Sequence, residues 1–288
     1  MDHVKRRDLW GLLALGAIWG ASFLFMRIAV PQFGALPMAA VRVGVGALFL
    51  LPILLTRGGF SPLNGRLGHL VILSLVTQSV PFGLFSYAAA HLPAGTSAIL
   101  NATVPLFGAL IGALAFGTVL RPRAMAGILC GFCGVVLLIV TRGSGQSISA
   151  SLYPVLACLL ASLCYGFAAN FARRHFAGVD PLAITTGSQL ISLCFLTPFA
   201  LVTAPDANPD PLAWVCVVTL GILCTAIAYL IYYRLIRNAG PTFTMSVTYL
   251  VPMFGVLWSA LFLHEPVTAA MVLAAAVILS GVALTVGS

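Results

Sequence analysis

Along this chain polar residues do not alternate with apolar ones at the period of a strand or of a surface helix. They gather in short clusters between apolar runs of about twenty residues. Ten runs are long enough to cross the hydrocarbon core of a bilayer. The first five are Leu9 to Ala29, Ala35 to Thr56, Leu67 to Ala90, Ala94 to Thr118 and Pro122 to Thr141. The second five are Ala150 to Ala172, Pro181 to Ala204, Pro211 to Leu235, Gly240 to Leu263 and Pro266 to Val286. Hydrocarbon offers backbone amides no partner, so a crossing segment is a helix or a strand of a closed barrel, and barrel strands are short and strictly alternating. Continuous runs therefore predict ten transmembrane helices in an all-α integral membrane protein. The first run follows Lys5, Arg6 and Arg7 as a secretory signal would, but its apolar part is longer than a signal's and nine runs follow, so it is read as a retained span.

Composition agrees: of 288 residues 61% are hydrophobic, with only 14 Lys and Arg and 6 Asp and Glu. A soluble domain carries about a quarter charged residues, and the ten spans leave no room for a separate catalytic or receptor domain. The cations are not scattered. With the N-terminus inside, 11 of the 14 fall on cytoplasmic segments, namely Lys5, Arg6, Arg7, Arg57, Arg66, Arg121, Arg123, Arg173, Arg174, Arg234 and Arg237. Arg27 and Arg142 fall outside, and Arg42 lies within the second span. This positive-inside asymmetry predicts cytoplasmic termini and makes the net charge of +8 topological, with no nucleic-acid partner required. All seven cysteines lie in expected helices and not in the loops where disulfide frameworks form. Cys130 and Cys133 have redox-motif spacing without its strand-to-helix context, and are read as packing.

The stretch from Arg142 to Ser149 is the most linker-like in the chain and separates two halves of five spans, 1–141 and 150–288. The halves match at a near-constant offset. Trp19-Gly20 pairs with Tyr165-Gly166, Arg27 with Arg173, Pro52 with Pro198 and Tyr87 with Tyr233, all 146 apart. Pro105 pairs with Pro252, Gly108 with Gly255 and Gly134 with Gly281, all 147 apart. A repeat with an odd number of spans enters the membrane in the opposite sense at its second copy. The expectation is two inverted five-helix repeats, the architecture of secondary transporters, with the substrate site near the midplane between them.

The same residues carry a resemblance. Ten spans as five plus five, Arg42 in the second span, the Ala-Gly-Thr-Ser start of the fourth span at Ala94 to Ser97, Pro105 and Pro252 within helices, and the Leu-His-Glu-Pro corner at Leu263 to Pro266 before a last helix containing Gly281 resemble the drug/metabolite transporter superfamily, EamA-type branch. The resemblance spans nearly the whole chain and is strongest to bacterial inner-membrane exporters of amino acids, including aromatic ones. It implies a multi-pass protein of the bacterial cytoplasmic membrane. One departure is visible: the glutamate that usually closes the fourth span of each repeat is kept as Glu265, while its partner position holds Thr118.

Polar and aromatic groups at mid-bilayer depth are the candidates for a substrate path, since each is unfavourable there unless used. They are Trp19 and Phe23 in the first span, Gln78, Phe82 and Ser86 on one face of the third, Asn101 in the fourth, Tyr165 in the sixth, Thr225, Tyr229 and Tyr232 in the eighth, and Tyr249 in the ninth. Each also has a plainer use: Gln78 or Asn101 as glue between helices, the rings as packing or lipid-facing groups, and Tyr232 and Tyr233 as interfacial-belt residues. Pro105 and Pro252 are expected to kink their helices. Arg42 is expected to snorkel to the outer interface or bond a helix end.

A path of rings, amides and hydroxyls suits small solutes with an apolar body and a polar end, and neutral or aromatic amino acids are the expected substrates. Phosphorylated metabolites need several buried cations, and only Arg42 is available. All six acids and all five histidines fall in termini, loops or helix ends, so no intramembrane carboxylate or histidine relay is expected and transport runs down the solute's own gradient. The alternatives are a multidrug exporter of the same superfamily, holding organic cations on its rings, and, in another class, a non-selective channel. No catalytic constellation points to an enzyme. No phosphate-binding loop, cofactor motif or metal-ligand cluster occurs. A single chain holds both halves of the path, so a monomer is expected.

Overall fold

The structure, a computed structural model, describes residues 6–142 and 148–286. Every regular element among them is helical. Among the described residues ten helices are long and apolar enough to cross a membrane: α1 (Arg6–Phe33), α2 (Ala35–Leu55), α3 (Leu67–His91), α4 (Ala94–Phe116), α5 (Pro122–Thr141), α6 (Leu152–His175), α7 (Pro181–Val202), α8 (Pro211–Ala239), α9 (Phe243–Leu263) and α10 (Ala269–Val286). Each of the ten expected spans has its helix. The expected linker is centred on residues 143–147, which lie outside the described residues, as do Lys5 and the residues before it.

Local signals set the ends. Asp180 and Asp210 accept hydrogen bonds from Leu182 N and Ala213 N at the starts of α7 and α8, each followed by a proline whose missing N–H is one of the first-turn orphans. Gly34, at φ +77°, makes the tight turn from α1 into α2. α4 and α9 close alike: Gly117 and His264 are both left-handed, and Thr118 N and Glu265 N donate back to Gly112 O and Ser259 O.

Lipid supplies no hydrophobic drive between helices, so close backbone approach at small residues has to supply contact. A methyl group placed at Gly20 on α1 would lie 2.8 Å from the backbone nitrogen of Gly255 on α9. One placed at Gly166 on α6 would lie 2.6 Å from that of Gly108 on α4. α5 and α10 meet along Gly127, Gly131, Gly134 and Gly281. The packing is reciprocal: α1 lies against α9 as α6 lies against α4, α3 against α6 as α8 against α1, α2 packs on α7, and α5 pairs with α10 at one side. The seven cysteines are free thiols; Cys224 donates to Ile18 O at 3.3 Å.

Candidate functional site

Two helices are interrupted by a π turn, Leu75–Ser79 in α3 and Ile222–Ile227 in α8. These segments begin 147 residues apart, one more than the 146 that separates the sequence matches on either side of them, Pro52 with Pro198 and Tyr87 with Tyr233. A π turn adds a residue to the helical turn, displaces the carbonyl register and recurs where side chains are re-aimed for function. Here it sets Gln78 and Thr225 inward. Thr225 Oγ1 donates to Leu220 O, five residues back, at 2.8 Å and accepts from Arg42 Nε at 3.0 Å.

Arg42 neither snorkels nor caps a helix. It is 6% exposed, its Nη1 lies 3.8 Å from the Met26 sulfur, and its guanidinium carbon stands 3.9 Å from the centre of the Phe82 ring. Tyr165, Tyr229 and Cys224 are the titratable groups near enough to feel its charge. A hydroxyl oxygen, a thioether and a ring face stabilise the cation only partly.

Around it the rings form two groups. Trp19 meets Tyr229 and Tyr232, with centroids 6.2 and 5.5 Å away. Phe23 meets Phe85 edge-on at 5.6 Å, and Phe85 stacks on Tyr165 at 6.0 Å. The pairs follow the separation of the π turns: Gln78, Phe82 and Phe85 stand 147 residues before Thr225, Tyr229 and Tyr232. Trp19 against Tyr232 on one side thus answers Tyr165 against Phe85 on the other. Gln78 Oε1, Ser86 Oγ and both amide atoms of Gln189 are buried with no hydrogen-bond partner, although buried polar side chains are ordinarily satisfied.

Of the candidates named from sequence, Trp19, Phe23, Gln78, Phe82, Ser86, Tyr165, Thr225, Tyr229 and Tyr232 lie on the helices of this layer. Asn101 is half-buried at the end of the first part of α4, where the helix breaks at Ala102 and Thr103. Pro105 falls in the first turn of the second part. Tyr249 packs elsewhere, against Leu106, Ile128 and Val282. Pro252 lies inside the helix Val247–Leu263, whose break is upstream at Ser246. Tyr233 stacks on Tyr229 at 5.9 Å and its hydroxyl lies 3.1 Å from Thr185 Oγ1, an inward role where an interfacial one was expected. Phe85, Ser22 and Gln189 were missed, and Arg42, singled out as a cation within a span, was given an interfacial or helix-end role instead of this one. The sequence offset of 146 in this part of the chain relates neither Phe85 to Tyr232 nor Gln189 to Arg42; both pairs stand 147 apart, the separation of the two π turns.

One end of the bundle is fastened by polar contacts. Arg27 Nη1 on α1 donates to Ala89 O and Ala90 O, the last carbonyls of α3, at 2.8 and 2.9 Å. Glu265 Oε1 accepts from Ala94 N at the start of α4 at 3.2 Å and stands 3.8 Å from Arg27 Nε. The pair thus serves a helix C-terminus and a helix N-terminus with charges of the favourable sign. At the opposite end the matching positions are Thr118 and Arg173. Arg173 is exposed, with its Nη2 3.5 Å from Asn170 Oδ1. Beside the clasp, Gln32 Nε2 donates to Asp210 Oδ2 at 2.6 Å, and Asp210 N donates back to Gln32 Oε1 at 2.7 Å. The Gln32 bond, then the Ala213 N–H, holds the Asp210 carboxyl below its ordinary range.

The EamA-like transporter family is matched over residues 7–140 and again over 152–287. YedA, an uncharacterized inner membrane transporter of Escherichia coli, is 29% identical over 85% of this chain and 79% of its own. An uncharacterized transporter of Archaeoglobus fulgidus is 28% identical over 95% and 96%. A protein of Streptantibioticus cattleyicolor named a "probable terminal-alkyne amino-acid exporter" is 24% identical over 90% and 86%. A solved crystal structure with 19% identity superposes at a TM-score of 0.70 over 98% of each chain, a likeness of fold.

Proposed function

Because the chain belongs to the EamA-like transporter family and is a multi-pass inner-membrane transporter of a small-molecule substrate, we propose that it exports neutral, chiefly aromatic, amino acids by alternating access. In this reading 1–141 and 150–288 are inverted five-helix repeats joined by a linker at 142–149. Both termini are cytoplasmic, and a monomer holds the whole path. The observation that carries it is the buried layer of rings around unpartnered amides and hydroxyls, contributed by α1, α3 and α6 to α8. Its rings would pack the apolar body of the solute, and its polar atoms would meet the polar end. The matched π turns and reciprocal helix contacts support the two-fold relation, which lets one repeat rock against the other about a site common to both. The described acids Asp8, Asp180, Asp206, Asp210 and Glu265 all stand at helix ends or in loops, which supports facilitated movement without a carboxylate relay. The relative named for amino-acid export supports the substrate class.

Counterflow in liposomes tests the reading. Proteoliposomes loaded with L-phenylalanine are expected to accumulate external radiolabelled L-phenylalanine and L-tryptophan saturably, with tetraphenylphosphonium and glucose excluded, and an imposed pH gradient is expected to drive no uphill movement. Counterflow of the organic cation without that of any amino acid would replace this substrate class by the multidrug one, and uphill amino-acid movement on the pH gradient would end the uncoupled mechanism.

A further inference from the structure

We propose that the Arg42 guanidinium is the anchor for a single carboxylate of the transported solute, so that the site selects monoanionic or zwitterionic acids over their amides and over cations. The argument begins from an imbalance of charge. Leaving a buried cation without a partner is strongly unfavourable, yet the described acids lie at helix ends and none pairs with Arg42. Glu265 is engaged by Arg27, and Asp180 and Asp210 cap α7 and α8.

The donors of the guanidinium are also under-used. Five N–H groups are available in a planar fork. Nε meets Thr225 Oγ1 and Nη1 meets only the Met26 sulfur, a weak acceptor, while among the described residues no acceptor meets Nη2. That leaves an edge of the fork free for the bidentate geometry a carboxylate fits, with Phe82 holding the plane by its face.

The surroundings suit the remainder of an α-amino acid. Gln78 Oε1, in a side chain only 2% exposed, and the amide of Gln189, fully buried against Gly46 one turn along α2 from Arg42, have no partners in the chain. An amide oxygen accepts from an ammonium, and the Phe82 and Tyr165 rings, with Phe85 stacked on Tyr165, supply apolar faces for the side chain. One cation neutralises one negative charge, so a dianionic phosphate would be left half-compensated. An organic cation would be repelled. The inference therefore deepens the exporter reading at the same site and depends on it for the identity of the solute, but not for the chemistry of the anchor.

Matched acids and amides separate the two. Purified protein is titrated with L-phenylalanine against L-phenylalaninamide and with hydrocinnamate against hydrocinnamamide, read by tryptophan fluorescence and by thermal stabilisation. The acid is expected to bind about tenfold or more tighter than its amide in wild type, as a charge-assisted pair requires. Arg42→Gln is expected to abolish that preference and Arg42→Lys to retain part of it. Loss of acid and amide binding together in Arg42→Gln would mark a merely structural arginine and overturn the anchor. The wild-type comparison needs no variant to fold: phenylalanine and its amide binding equally also overturns the anchor while leaving the amino-acid reading standing. Hydrocinnamate binding through Arg42 with no binding of phenylalanine leaves the anchor standing and removes the amino-acid reading. No binding of either acid overturns both.

Discussion

Arg42 lies seven residues past Ala35, about 10 Å down the helix axis. That depth is legible in the sequence, and it is already too great for an easy return to the interface. What one dimension does not carry is the company the side chain keeps. Phe82 comes from the next span and Thr225 from a helix 183 residues away, and the Thr225 oxygen is aimed at Arg42 by a π turn that no composition marks. Asp210 shows the same contrast. Its role as a helix cap before Pro211 can be read locally, but its exchange of hydrogen bonds with Gln32, 178 residues away, cannot. That exchange has a pH signature. The carboxyl titrates lower in the folded chain than in the unfolded one, so the charged form stabilises the fold fully above the ordinary carboxylate range and its contribution disappears as pH falls through the depressed value. Melting curves of wild type and Asp210→Asn are expected to run apart by a constant margin near neutrality and to converge in acid. A margin that grew on acidification would contradict this.

Among elements, the ten spans follow from hydropathy because lipid leaves so few alternatives. The breaks within them follow less well. A proline withholds the N–H that the carbonyl four residues earlier needs, so the disturbance surfaces upstream of the ring. α4 breaks after Asn101, four residues before Pro105, and α9 breaks at Ser246, while the helix runs on through Pro252. Kinking was foreseeable, but the distribution of strain between the two helices depended on their neighbours. The glycine contacts lie between these cases. Gly20, Gly166, Gly108 and Gly255 are visible as repeat matches, and the structure adds that they are where α1 crosses α9 and α6 crosses α4. Gly166→Ala is expected to destabilise the purified protein by about 1–3 kcal/mol, because the new methyl would strike Gly108 N and Phe107 C, backbone atoms that do not swing aside. Gly68→Ala, on a helix with open space at that position, is expected to be nearly neutral in the same thermal unfolding assay.

The whole molecule is less symmetric than its contact pattern. The clasp of Arg27 and Glu265 holds one end of the bundle, and Thr118 leaves the other end without the acid. In the proposed orientation the held end faces away from the cytoplasm. In the proposed rocking, unequal latches favour an empty carrier with its outer mouth shut and its loading side toward the cell interior. A latch worth about 1–3 kcal/mol biases that resting equilibrium by roughly 5–150-fold. Glu265→Gln keeps the shape and removes the charge, and it is expected to bring initial rates of uptake and efflux in oriented vesicles closer to parity, with Thr118→Gln as a control that leaves the ratio unchanged. An unaltered ratio in Glu265→Gln would make the clasp mere reinforcement. If the ratio moves, the speed of this protein's traffic at a given gradient is set partly by an acid that one half kept and the other does without, while the gradient alone keeps its direction.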